Sequence, residues 1–180
     1  MKITMQVLCF LIGLVSGPAM AAINVFACEP EWAALAQEIG GARVSAFAAT
    51  TAFQDPHHIE ARPSLIARVR NADLLVCSGS QLEIGWLPLL LTQAGNARIQ
   101  PGQPGYLEAS QYVVKLEVPR VIDRSLGDIH PGGNPHIQTD PRNIAKVAAV
   151  MTDRLAQIDP ADAALYRKNE SGFQDRKSVV

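Results

Sequence analysis

Two short proline–histidine motifs contain the residues of this chain that could do chemistry. They are Asp55-Pro56-His57-His58 and Asn134-Pro135-His136, and both lie in stretches rich in turn-forming residues. The four histidines of the sequence, which also include His130, all lie in or near these motifs. Imidazole is the commonest side-chain metal ligand. The clustering therefore predicts a metal site that is built from two loops.

The motifs rank the four histidines as ligands. A proline before His57 and before His136 restricts the loop backbone and lowers the entropy that is lost when a site forms. His130 is followed by Gly132-Gly133, a flexible spacer that could let it reach the same ion or leave it in solvent. His58 adjoins His57, and neighbours in an extended segment point in opposite directions, which favours an outer position. His57 and His136 are the predicted ligands, and His130 is a candidate third.

Composition excludes several classes of function. The chain has 180 residues, a net charge of −1 and a pI near 6.4, which fits one ordinary domain with a core. Without a run of Lys and Arg, nucleic acid is not expected as a partner. There is also no Gly-x-Ser-x-Gly, phosphate-loop or Cys-x-x-Cys motif.

The first 22 residues are expected to be a secretory signal. Lys2 precedes an apolar stretch from Val7 to Val15, and small residues around Ala21 and Ala22 suit signal peptidase. The apolar stretch is too short to span a bilayer, so no membrane insertion is expected after cleavage. The mature chain is then periplasmic.

Two cysteines remain after cleavage. Cys28 and Cys77 each end a predicted strand in an oxidising compartment, and the sequence leaves open whether they pair. The stretch Val25-Phe26-Ala27-Cys28 also resembles a lipoprotein cleavage box, but a strand is the better interpretation.

The elements that must position the histidines alternate along the chain. Apolar and β-branched runs predict strands at 23–28, 43–48 and 73–77, and an extended segment at 112–116. Helical spacing predicts helices at 30–39, 64–71, 141–158 and 161–174, and one that opens with the capping box Ser80-Gln81-Leu82-Glu83 and is interrupted at Pro88. The alternation predicts an α/β fold in which a parallel sheet has helices on both faces. Both histidine loops are expected at the carboxyl ends of strands, where such sheets carry their functional loops.

These motifs together resemble one family. Asp55-Pro56-His57 with Pro63-Ser64, the run Ala72-Asp73-Leu74-Leu75-Val76, and Asn134-Pro135-His136-Ile137 are similar to the periplasmic zinc/manganese solute-binding proteins of ABC transporters, of the metal-binding cluster A-I type. The resemblance runs from about residue 23 to residue 174.

The resemblance implies a domain organisation. Residues 23–158 would form the amino-terminal, metal-binding lobe of a two-lobed protein, and residues 159–174 would begin the helix that joins the lobes. Family members draw a further histidine and a carboxylate from the second lobe, so this chain is expected to be a fragment with an incomplete site. Residues 175–180 resemble the translation of a sequencing adapter and are expected to be non-native.

The resemblance also implies a function. The chain is expected to bind a divalent transition metal, zinc or alternatively manganese, for delivery to the permease of an ABC importer, without being an enzyme. Two alternatives stay open from the residues alone. One is a small exported zinc metallohydrolase that uses His57, His130 and His136 with Glu83 or Asp128 as base; the other is a metal-independent interaction domain.

Overall fold

A four-stranded parallel sheet forms the centre of the protein. The computed structural model describes residues 21–123, 125, 127 and 129–177, so most of the expected signal and Asp128 lie outside the described residues. The strands are β1 (Ile23–Ala27), β2 (Val44–Ala48), β3 (Leu74–Cys77) and β4 (Tyr106–Glu108). Their order is β2-β1-β3-β4, and every neighbouring pair is parallel. The predicted α/β architecture is confirmed.

Within the described residues, five α-helices flank the sheet. They are α1 (Pro30–Gly40), α2 (Pro63–Arg70), α3 (Leu87–Ala94), α4 (Pro141–Ile158) and α5 (Ala163–Lys177). The first four each have a proline in the opening turn. A proline fits there because its missing N–H would have had no partner inside the helix.

The two faces of the sheet carry separate halves of the core. Val25 and Ala27 point to a cluster that α1, α4 and α5 complete, with Trp32 and Tyr166 fully buried. Phe26 and Cys28 point the other way, to a cluster that contains residues of α2 and α3. The alternation follows from the two-residue period of a strand. Helices on both faces explain why β3 is apolar at all four positions.

The predicted start of the third helix at Ser80 is wrong, although its predicted end at Gly95 agrees with α3. Residues 80–86 form turns, and α3 begins at Leu87 with Pro88 in its opening turn. Gly79, Ser80 and Gln81 have φ angles of 81°, 52° and 69°, a left-handed run that no α-helix can contain. The Ser80 N–H donates to Glu108 Oε1, a partner that lies far away in the sequence.

Two further boundaries differ from the predictions. The fourth strand is Tyr106–Glu108, whereas the predicted extended segment 112–116 pairs with no strand. Its side chains explain this, because Val114 and Leu116 are 76% and 71% exposed. The last helix begins at Ala163, because Pro160–Asp162 form a short 3₁₀ turn first.

No helix in the described part of the chain is both long and apolar enough to cross a membrane.

Candidate metal centre

The loop after β2 presents His57 through local bonds. Asp55 Oδ1 accepts a hydrogen bond from the His57 backbone N–H at 2.9 Å, and the same oxygen lies 2.7 Å from the ring Nδ1. These bonds, together with that of the His58 ring, hold the pKa of Asp55 well below its usual range; the backbone N–H contributes most. The carboxylate is therefore ionised and fixes the orientation of the His57 ring.

Trp86 anchors the same loop from below. Its indole N–H donates to the carbonyl of Pro56 at 2.8 Å, and the side chain is 1% exposed. A Cβ on Gly85 would lie 3.2 Å from the carbonyl oxygen of His57, so the two segments are closely packed. Trp86 also belongs to the core on this face of the sheet, and no local sequence pattern indicates a contact between positions 30 residues apart.

The second motif repeats the device of the first. Asn134 Oδ1 accepts from the His136 backbone N–H at 2.9 Å, the same turn that Asp55 makes with His57. Such a turn is typical of Asn and Asp. A 3₁₀ turn at Ile137–Thr139 follows, and Asp140 then caps α4 by accepting from the Arg142 N–H at 2.8 Å. His136 is thus held at the entrance to the longest helix of the fold.

His130 is positioned by the left-handed turn that follows β3. Its Nδ1 lies 3.1 Å from the carbonyl oxygen of Ser80. Left-handed backbone at a residue with a side chain is strained, and such strain concentrates at functional positions. The turn at Gly79–Gln81 directs this carbonyl towards the imidazole.

The three predicted ligands line one open cavity. Its volume is about 400 Å³, and its walls include His57, His130 and His136. The His57 ring centroid lies 5.2 Å from that of His130 and 6.4 Å from that of His136. The predicted convergence of two distant loops is therefore present in the fold.

The hydrogen-bond partners of His57 and His130 fix their tautomers. Asp55 carboxylate and Ser80 carbonyl can only accept, so the Nδ1 atom of each ring carries the hydrogen. A neutral imidazole has one such hydrogen, which leaves a lone pair on each Nε2. These two Nε2 atoms are 3.1 Å apart. Two lone pairs repel at that distance unless a cation, either a proton or a metal ion, lies between them.

The spacing suits a transition metal. With Zn–N bonds of about 2.0–2.1 Å, two nitrogens 3.1 Å apart subtend an angle of about 95–102° at the ion, near the tetrahedral value. His136 stands further out. Among the described residues, the only three metal-binding side chains whose ligand atoms lie within 4.8 Å of one another are elsewhere, at Cys28, Cys77 and Glu83. The histidines therefore form a close pair with a third imidazole at the cavity wall.

Glu117 is a carboxylate that the sequence analysis missed. It lines the same cavity, and its Oε2 accepts from Asn134 Nδ2 at 2.8 Å. Its φ angle of 55° is another left-handed position. His58, in contrast, is 74% exposed, and its Nδ1 lies 3.0 Å from Asp55 Oδ2. The predicted outer position of His58 agrees with this geometry.

The base expected by the hydrolase alternative lies away from the histidine cavity. Glu83 is 3% exposed, does not line the cavity, and accepts from the Gly79 N–H at 3.1 Å instead of capping a helix. Burial raises the pKa of Glu83, and also that of Glu29 beside it, whose carboxyl interacts directly with that of Glu83. Asp128 lies outside the described residues. Cys28 and Cys77, left open by the sequence, form a disulfide next to this pair.

Proteins of known structure share this fold. A zinc-bound ZnuA deletion mutant superimposes with a TM-score of 0.69 at 23% identity, covering 86% of this chain and 54% of the mutant. The manganese-bound periplasmic metal-binding protein of Candidatus Liberibacter asiaticus gives 0.68 at 19% identity, with 86% and 52% covered.

Curated relatives are similar over most of this chain. The metal ABC transporter substrate-binding lipoprotein ScbA of Streptococcus cristatus is 24% identical over 158 residues, 88% of this chain and 49% of that protein. The manganese-binding lipoprotein MntA of Halalkalibacterium halodurans is 27% identical over 144 residues, with 79% and 42% covered. This chain thus spans about half the length of the curated relatives that it matches.

A family model extends over nearly all the described residues. It is that of ZnuA, the periplasmic component A of the zinc-uptake complex, and it matches residues 25–178. The match begins within β1 and contains both proline–histidine motifs, β2 to β4 and the helices α1 to α5. The chain belongs to the ZnuA family of periplasmic zinc-uptake components.

Proposed function

We propose that this chain binds a divalent transition metal, zinc in preference to manganese, in the periplasm for delivery to the permease of an ABC importer. His57 and His130 would hold the ion, and His136 would become a third ligand once the ion is bound. Residues 23–158 would act as the metal-binding lobe, with the segment from residue 159 onwards, which contains α5, as its connection to a second lobe.

One observation carries the proposal. The Nε2 atoms of His57 and His130 face each other at 3.1 Å, while both Nδ1 atoms are held by acceptors. This arrangement is unfavourable without a cation and favourable with one. The ring of His57 is 21% exposed, so an ion can still enter from solvent.

The nature of the ligands supports zinc. Imidazole nitrogens suit zinc, whereas manganese prefers carboxylate and other oxygen ligands. Among the described residues, three histidines and one carboxylate, that of Glu117, line the cavity. Relatives named for manganese and for zinc both occur among the similar proteins, so the donor set is the ground for the preference.

The proposed site lacks part of the usual ligand set, and this limits its affinity for zinc. A closed zinc site uses four protein ligands, and even a catalytic site uses three. With two close imidazoles and a third at the wall, we expect a Kd on the order of micromolar for residues 21–177, far weaker than a closed site.

Competition against a chelator tests the proposal. Zinc is titrated into the purified chain in the presence of a chromogenic chelator of known affinity, first with the unaltered protein and then with His57→Ala. We expect one weak site that the substitution removes. Equal binding by both proteins would refute the proposed ligands, and tight one-to-one binding would refute the incomplete site.

A further inference from the structure

A second cluster of metal-binding side chains lies under the loops, apart from the histidine cavity. The ligand atoms of Cys28, Cys77 and Glu83 all lie within 4.8 Å of one another. These side chains are 0%, 1% and 3% exposed. None of them lines the cavity that holds His57, His130 and His136. The proposed function does not use this cluster.

The cluster occupies a special position in the sheet. The chain leaves β1 for β2 on one side and later returns to β3 on the other, so the order reverses between β1 and β3. In open α/β sheets, ligands bind outside the carboxyl ends of the strands at such a reversal. Cys28 follows the last residue of β1, and Cys77 is the last residue of β3. Here the reversal is closed by their disulfide.

Two buried carboxyl groups, those of Glu29 and Glu83, lie beside the disulfide. Glu29 Oε2 accepts from the N–H and the hydroxyl of Ser78 at 3.1 and 2.9 Å, but Oε1 is buried without a hydrogen-bond partner among the described residues. In the part of the chain that the structure describes, no Lys, Arg or His forms an ion pair with Glu29 or Glu83. Burying two neighbouring carboxyl groups in this way is unfavourable, and a divalent cation would reverse the sign of their contribution.

We propose that the dithiol form of this chain binds a thiophilic divalent cation, Zn²⁺ or Cd²⁺, through Cys28, Cys77 and Glu83. Thiolates select such cations over magnesium, calcium and manganese. A tetrahedral ion with Zn–S bonds of about 2.3 Å holds its two sulfurs about 3.8 Å apart. The Cα atoms of the cysteines are 4.8 Å apart, so rotation about the Cα–Cβ bonds gives that spacing. Glu29 Oε1, which is buried without a hydrogen-bond partner among the described residues, is the candidate fourth ligand.

Oxidation and metal binding exclude each other at this site. Forming the disulfide removes two electrons and two protons from the thiols, and it leaves no thiolate to donate to a metal. Binding M²⁺ to the dithiol releases the same two protons but no electrons. A newly exported chain carries thiols, so a cation bound at that stage would delay closure of the disulfide.

Cadmium binding to the two redox forms tests this proposal. A phosphine reduces the disulfide and becomes the phosphine oxide, taking its oxygen from water, and two thiols result. After removal of the phosphine under argon, Cd²⁺ is titrated while the ultraviolet thiolate-to-cadmium absorption is recorded. We expect the reduced chain to bind one cadmium ion more than the oxidised chain does. The thiolate-to-cadmium absorption should accompany this ion and should not appear with the oxidised chain. Absence of the absorption from the reduced chain would overturn the proposal.

Three substitutions separate a built site from loose thiol binding. Glu83→Gln should weaken the additional binding about tenfold without changing the thiol count. Glu108→Gln, a nearby carboxylate outside the cluster, should have no such effect. His57→Ala should leave the absorption unchanged, which keeps this test independent of the proposed function. If Glu83→Gln binds cadmium as tightly as the unaltered chain does, the proposal is wrong. The same holds if reduction unfolds the chain and cadmium then binds to the exposed thiols alone.

Discussion

The tautomers of His57 and His130 determine what can lie between their rings. Both Nδ1 atoms face acceptors, so in the neutral rings both Nε2 atoms offer lone pairs across 3.1 Å. The close pair therefore matters more for binding than the exposed His58 does, although all three are imidazoles in or beside the same cavity.

Alanine substitutions should separate these histidines. We expect His57→Ala and His130→Ala each to weaken zinc binding about 100-fold or more, because each removes a direct ligand. His58→Ala should weaken it less than about tenfold, because the His58 ring contacts Asp55 and does not line the cavity. Competition with a chromogenic chelator measures all three. An equal loss in the three variants would contradict the assignment of His58 to the outer position.

Glu117 gives a second test at this scale. Its carboxylate lines the cavity and is oriented by Asn134, so Glu117→Gln should lower zinc affinity about tenfold while retaining the side-chain shape. Glu60→Gln, an exposed glutamate that does not line the cavity, is the matched control. Equal zinc affinities of the Glu117→Gln and Glu60→Gln variants in the same titration would contradict a role for Glu117.

Two helical glycines illustrate how the elements are packed together. A Cβ on Gly40, at the end of α1, would lie 2.0 Å from Cγ2 and 2.4 Å from Cβ of Val44, the first residue of β2. A Cβ on Gly172, in α5, would meet nothing within 4 Å. One substitution at these two positions should therefore have opposite effects on stability.

Gly40→Ala should lower the free energy of unfolding by about 1–3 kcal/mol, because the buried, β-branched Val44 cannot move aside freely. Gly172→Ala should raise it by up to about 1 kcal/mol through helix propensity. Urea denaturation, followed by circular dichroism, measures both. A stabilising Gly40→Ala would show that α1 and β2 are less tightly packed than described.

The elements also show where sequence reasoning succeeds. Strands β1, β2 and β3 were predicted within one residue because each is a short apolar run between turn residues. The helix prediction for residues 80–86 was wrong because the capping-box pattern Ser80–Glu83 is a local signal. The turn observed there is held by a hydrogen bond from Ser80 to Glu108, a residue distant in the sequence. The sequence indicated an extended segment at 112–116 but not the strand β4 at Tyr106–Glu108, because alternation identifies two faces without showing that a neighbouring strand is available.

The same limit applies to the candidate site. The two proline–histidine motifs could be read from the sequence because their supporting bonds join residues only two positions apart. The place of His130 could not, because its partner Ser80 lies 50 positions away. Long-range contacts of this kind depend on the order of the strands, which no local pattern records.

For the molecule as a whole, the buried carboxyl pair makes stability depend on pH. Burial raises the pKa of Glu29, so the folded chain keeps a proton that the unfolded chain loses above its ordinary pKa of about 4.3. In that window the native state binds more protons, and stability therefore falls as pH rises. Glu29→Gln, which cannot ionise, should escape this loss.

Urea denaturation of the metal-free, oxidised chain tests this dependence. Between about pH 5 and about pH 8, Glu29→Gln should become steadily more stable relative to the unaltered chain, by up to about 1.4 kcal/mol per pH unit. Glu31→Gln, in the first turn of α1 and two positions from Glu29, is the control and should follow the unaltered chain. Parallel curves for Glu29→Gln and the unaltered chain would contradict a buried, protonated Glu29.

The matching turns at Asp55–His57 and Asn134–His136 have a consequence for how such a site can change over time. Each histidine is held by a hydrogen bond from its own motif, so its backbone does not depend on the length or composition of the remaining loop. Insertions elsewhere in the loop before Asn134 can alter access to the cavity or its charge and still leave the ligand in place. Evolution can thus vary selectivity in the loops separately from the ligands themselves.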